Sequence, residues 1–205
     1  MSWLNIFRKN ESALSKLSNK VFEKSLLCAE TLKPDLEEKF GKDSKEFSLK
    51  YIPVLLEFMC FFLHLTDRYA LNLLGHEKRD KLIDELCPST IDVMTQRLCG
   101  HWPTSSKDQL RKDFLDRFNS AQIEYGSCKE LLLKPEDDTP AMQKLMSGAK
   151  SKSMVGQLTD FLSRIIKGEI NVNAFFAVQV WGAVMGTLEK KEIHALVPEA
   201  SREIK

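Results

Sequence analysis

Along most of the chain apolar residues recur every three or four positions, the spacing that lines up one face of an α-helix. From Ser12 to Leu32, the residues Leu14, Leu17, Val21, Cys28, Ala29 and Leu32 share a face, while Lys16, Lys20, Glu23 and Glu30 fall largely elsewhere. Pro34 lacks an amide donor and is expected to end or bend this helix, and a short segment from Asp35 then closes at Gly41. Ser44 ahead of Glu46 and Phe47 predicts the start of a long central helix, with Pro53 either near its first turns or kinking it, a run to about Leu74 and a stop at Gly75. Leu82, Ile83 and Leu86 predict a short helix that ends before Pro88, because the residue preceding a proline is biased out of the helical region. Ser89 with Asp92 has the spacing of a capping box for the next helix, whose face is Ile91, Met94 and Leu98 and whose end is Gly100.

After the Trp102-Pro103 turn, Leu110, Phe114, Phe118, Ala121 and Tyr125 share a face of a further helix that Gly126 stops. Residues 127–153 are irregular: Pro135 and Pro140 surround the acidic run Glu136 to Asp138, and a small, basic stretch follows from Ser147, so we read a connector with one short helix near Met142 to Met146. Val155, Leu158, Leu162 and Ile165 align on a helix ended by Gly168. The next helix, from about Asn173 to Leu188, is apolar nearly all round and predicts burial on every side, under other helices or against another subunit. No segment alternates with the period of two that marks a half-buried strand. The expected fold is therefore all-α, a single multi-helix domain of six to eight helices around a long buried central helix. It divides into an apolar and basic segment at residues 1–10, a helical domain over 11–190 and a polar tail at 191–205.

Composition narrows the partners. Thirty Lys and Arg against twenty-nine Asp and Glu leave a formal charge of +1, too little for a whole-protein field that would draw in nucleic acid. Five cysteines, an odd number without a CxxC pair or a secretory signal, suit thiols in a reducing compartment and a cytoplasmic setting. The apolar run Ile52 to Leu65 contains Glu57 and His64 and is followed by Asp67 and Arg68, short of the roughly 20 uninterrupted residues of a bilayer span, so it reads as a buried helix and no transmembrane segment is expected. Trp3, Leu4, Ile6 and Phe7 beside Arg8 and Lys9 offer a weak peripheral membrane contact, with docking onto the domain or a partner as the preferred reading.

The sharpest candidate chemistry lies on the central helix. At 100° per residue, Glu57, Cys60, His64, Asp67 and Arg68 occupy one sector of an otherwise apolar helix, and an unpaired charge buried there would be costly. One reading is a ligand site, with His64 as acid, base or ligand and Glu57 or Asp67 as its carboxylate. The other, preferred, is structural: Asp67 and Arg68 pair with neighbouring helices and His64 is satisfied by a hydrogen bond. Seven residues separate Glu57 from His64, roughly 10 Å along the axis, too far for direct contact. Cys60 and His64, with Cys99 and His101 as a second pair, form a weak candidate metal set that lacks the spaced pairs of a zinc module. The chain carries no E-x-x-H, no phosphate-cradling glycine loop and no nucleophile elbow, so no cofactor is expected and an enzymatic activity has no motif to stand on.

Association has one more candidate. Ala174, Val178, Gly182 and Gly186 form a small-residue step on the apolar C-terminal helix, where a second helix, within the chain or in another subunit of a homo-oligomer, could approach closely. The function these patterns favour is that of a non-enzymatic helical binding or adaptor protein with a protein partner. The alternative is a small-ligand or metal-binding protein, an enzyme included, built on the Glu57, Cys60, His64, Asp67 and Arg68 face of the central helix.

Overall fold

The computed structural model describes residues 11–42, 44–128, 153–168, 174–188 and 190–204. Among the described residues there are seven helices and no strand: α1 (Ala13–Phe40), α2 (Lys45–Leu74), α3 (His76–Leu98), α4 (Thr104–Gly126), α5 (Met154–Lys167), α6 (Ala174–Thr187) and α7 (Lys190–Glu203). The fold is all-α, as the periodicity predicts. The segment at residues 1–10, with Trp3, Leu4, Ile6 and Phe7, and most of the connector lie outside the described residues.

Starts and stops follow local chemistry. Ser44 Oγ accepts the Phe47 N–H at 2.9 Å and opens α2, and Ser153 Oγ accepts the Gly156 N–H at 3.0 Å and opens α5. Gly168 ends α5 in the left-handed conformation at φ 84°. Gly75 alone joins α2 to α3, at φ 77° and ψ 177°, a backbone geometry open in practice to glycine.

Pro34, expected to end or bend its helix, and Pro88, expected to follow a helix end, both lie inside continuous helices, α1 and α3. Each deprives the helix of one amide donor. The helices nonetheless continue because both sides of each proline are anchored: Leu32 and Leu36 are fully buried around Pro34, as are Leu86 and Thr90 around Pro88. Ser89 is consequently a mid-helix residue rather than a cap, and its hydroxyl accepts from Ser18 Oγ at 2.7 Å. Residues 191–203, read as a polar tail, belong to α7, where Ile193, Val197 and Ala200 sit on one face and are buried.

Contacts gather into two compact units, and α1, α2 and α4 contribute residues to both. The first unit takes in the described residues of Met1–Glu23, Leu65–Leu115 and Glu189–Lys205. In it α3 packs against α7, and Leu17, Leu82, Met94, Phe114 and Val197 are among the core residues. The second takes in the described residues of Lys24–His64 and Asp116–Leu188, and there α5 packs against α6. Its core is aromatic, with Phe58, Phe61, Phe62 and Tyr125 fully buried.

The central helix α2 is buried in part: every residue from Glu57 to Asp67 is buried, whereas Leu71 and Leu73 near its end are exposed. Among the described residues it is the one helix long and apolar enough to cross a membrane by length and composition, and 67% of its most apolar window is packed inside the fold.

Candidate functional site

The ionisable stripe of α2 is shared between the two units. Glu57, Cys60 and His64 belong to the second unit, Asp67 and Arg68 to the first. Asp67 is held by Arg79 of α3 through a two-pronged ion pair, with Nη2 donating to Oδ2 at 2.6 Å and Nε donating to Oδ1. That is the interhelical pairing the structural reading of the sequence expects for Asp67. Cys60 is fully buried, and the His64 ring is buried with its centroid 5.7 Å from that of Tyr125.

Glu57 has the richer surroundings. Its carboxylate accepts from Arg117 Nε at 2.9 Å, from Arg117 Nη2 at 3.0 Å and from the Tyr125 hydroxyl at 2.7 Å, both partners lying on α4. Arg117 Nη1 also donates to Glu124 Oε2 at 2.6 Å, so one guanidinium serves two carboxylates. Burial alone would pull the Arg117 pKa down, but the hydrogen bond and charge of Glu57, with Glu124 behind them, push it above the ordinary guanidinium range. Burial first, and the negative charge of Glu57 second, push the Tyr125 phenol well above its usual value of 10. Tyr125 therefore stays protonated and serves Glu57 as a fixed donor.

Glu57 also borders open space. A cleft of about 260 Å³ is lined by Pro53, Leu56 and Glu57 of α2, Arg117 of α4, and Phe161, Arg164 and Ile165 of α5. Two cations approach the ring of Phe161, with Cζ of Arg117 at 4.4 Å and Cζ of Arg164 at 5.8 Å from its centroid, and Tyr125 meets the same ring edge-on at 6.0 Å. The sequence patterns do not single out Arg117, Phe161 or Arg164. A signal for Arg117 exists: it sits beside Phe114, Phe118 and Ala121 on the apolar face of α4, where a cation needs an anion.

The metal candidates fare differently. Cys99 follows α3 and is buried, and His101 beyond it is exposed. Among the described residues no group of three or more His, Cys, Asp or Glu side chains is close enough to hold an ion, so Cys60, His64, Cys99 and His101 are not gathered into a ligand set. All five cysteines are buried, reduced thiols.

Val178, Gly182 and Gly186 of the candidate interface lie on the outer side of α6. The helix buries Phe176, Ala177, Val180, Ala183 and Val184, but Phe175, Val178, Trp181, Gly182, Met185 and Gly186 form an exposed apolar face. A Cβ built at Gly182 or Gly186 meets nothing within 4 Å, so the small step is not a site of close helix approach among the described residues. Ala174 begins the helix. The inner face is fixed by α1: Cys28 Sγ donates to the Ala183 carbonyl at 3.4 Å, Lys24 Nζ donates to the Thr187 carbonyl, and Gln179 Nε2 donates to Asp35 Oδ2 at 2.8 Å.

No protein-family model, curated protein or solved structure matches this chain.

Proposed function

We propose that the protein is a non-enzymatic helical binding or adaptor protein whose docking surface is the outer face of α6, and that the occupant is an amphipathic helix of a second protein. The observation that carries this reading is the exposure of Phe175, at 69%, together with Trp181, at 40%, on a helix with no charged side chain. A contiguous apolar face of this kind marks an interaction site more often than scattered exposed residues do. Gly182 and Gly186, four residues apart, leave a shallow strip between the flanking side chains, a shape that takes the ridge of another helix. Trp is enriched among residues that dominate binding energy, and Met adapts its shape to a partner. A helix lying in a lipid interface usually carries Lys or Arg on its polar face, and α6 has neither.

The test places a photo-activatable cross-linker at position 181 in cells of the native host and maps the trapped peptide. An amphipathic helical segment of another protein, lost when Met185→Asp is added, supports the reading. Trapping of a second copy of this chain, or of lipid, overturns the choice of occupant, and no cross-link at all overturns the surface.

A further inference from the structure

We propose that the cleft walled by Leu56, Phe161, Arg164 and Ile165 binds a small organic monocarboxylate with a compact apolar body, an aryl or branched-chain acid. This inference does not rest on the α6 surface. Three observations carry it.

The first is shape. At about 260 Å³ the cleft falls just below the range of roughly 300–1,000 Å³ that drug-sized ligands occupy, so its occupant is small. The second is the lining. Pro53 and Leu56 from one helix face Phe161 and Ile165 from another, which favours an apolar body with a single polar end.

The third is charge, and it decides the class. Both Glu57 oxygens are already engaged, one by Arg117 Nε and the other by Arg117 Nη2 and Tyr125, so this carboxylate is not free for a cationic ligand. Arg117 spends its fork on Glu57 and Glu124. Arg164 is different. Among the described residues its recorded partner is the Phe161 ring, near the outer limit of about 6 Å for such contacts, and it makes no ion pair with Asp160, which feels its charge from one turn back on α5. Among the described residues, this guanidinium without an ion pair beside an apolar slot matches a carboxylate, whose two oxygens fit the planar donor fork. A phosphate would bring up to two negative charges toward Glu57 and Glu124, with Arg164 the one cation among the described lining residues not already paired with a carboxylate.

Calorimetric titration of the full chain with benzoate, 3-methylbutanoate, benzamide and inorganic phosphate tests the assignment. We expect saturable one-to-one binding of at least one acid, with benzamide and the Arg164→Gln variant each weaker by about tenfold or more. Leu56→Trp fills the slot and should abolish binding without touching a charge. Arg164 is exposed, so its variant should keep the wild-type melting temperature and circular dichroism. Absence of saturable binding of both acids up to the order of 10 mM would overturn the proposal, because affinity weaker than that is below a specific site. Equal binding of benzamide, unchanged binding by Arg164→Gln, or tighter binding of phosphate would also overturn it.

Discussion

Glu203 caps the first turn of α1: its Oε1 accepts the backbone N–H of Ala13 at 2.8 Å and its Oε2 accepts that of Leu14 at 3.1 Å. The first N–H groups of a helix have no partner within it. Here one of the remaining donors, that of Ser15, is met locally by Ser12 Oγ at 3.0 Å, while two are met by a residue about 190 positions later. A carboxylate at this end of α1 also complements the helix dipole.

Those backbone donors hold the Glu203 carboxyl below its ordinary value of 4.5. A carboxylate depressed in the folded state adds stability above its unfolded pKa and loses it as the pH falls through the lower folded value. Glu203→Ala should therefore melt earlier than wild type near neutral pH, and the gap should narrow as the pH is taken below 4.5. Thermal melts of both proteins across that range check it; a gap independent of pH would mean that the contact works through packing alone.

Removing either partner of the Glu57–Arg117 pair should be costly, but not equally. Arg117→Met strands a carboxylate that is 3% exposed, at about 3 kcal/mol, whereas Glu57→Gln leaves Arg117 paired with Glu124 and should cost less. Urea denaturation of the two variants gives the order. The reverse order would mean that Tyr125, not Arg117, supplies most of the support for Glu57.

Gly182→Ala should stabilise the isolated chain by roughly 0.5–1 kcal/mol, the helix preference for alanine over glycine. The sequence alone leads to the opposite expectation, that a side chain at Gly182 would be overpacked. The open space at Gly182 reverses it, and chemical denaturation at low protein concentration measures the sign.

The thiols should be silent in the native protein. Burial pushes Cys28 and Cys87 up to about 12, and all five cysteines are buried. An aromatic disulfide reagent at mildly alkaline pH should titrate almost none of them until denaturant is added, since the thiolate is the reactive form. Rapid reaction of a thiol in native protein would show a local opening.

What could be read from the sequence was whatever repeats at short range. The faces of α1, α4 and α5 follow from three- and four-residue spacing, and Ser44, Gly75 and Gly168 mark ends through their own chemistry. Ile193, Val197 and Ala200 carry the same spacing, but the charged residues between them give α7 the look of a polar tail. Pro34 and Pro88 misled because whether a helix survives a proline depends on burial at Leu36 or Thr90, which sequence does not report. Glu57 announced itself as a charge on an apolar helix, yet Arg117 and Tyr125 stand 60 and 68 residues away, and no local pattern encodes such a pairing. An apolar face reads alike whether its own chain covers it or leaves it open, so the sequence alone does not show that the outer side of α6 is uncovered within the chain.

Gly75, Gly182 and Gly186 are equals in space, for a Cβ at any of them meets nothing within 4 Å. Gly75 alone of the three has a positive φ, and it is the single residue between a helix of 30 residues and one of 23. In a saturation library selected for folded protein, position 75 should then return almost exclusively its original codon family. Positions 182 and 186 should drift freely, so a survey of tolerated variation would separate a torsional constraint from mere vacancy where crowding could not.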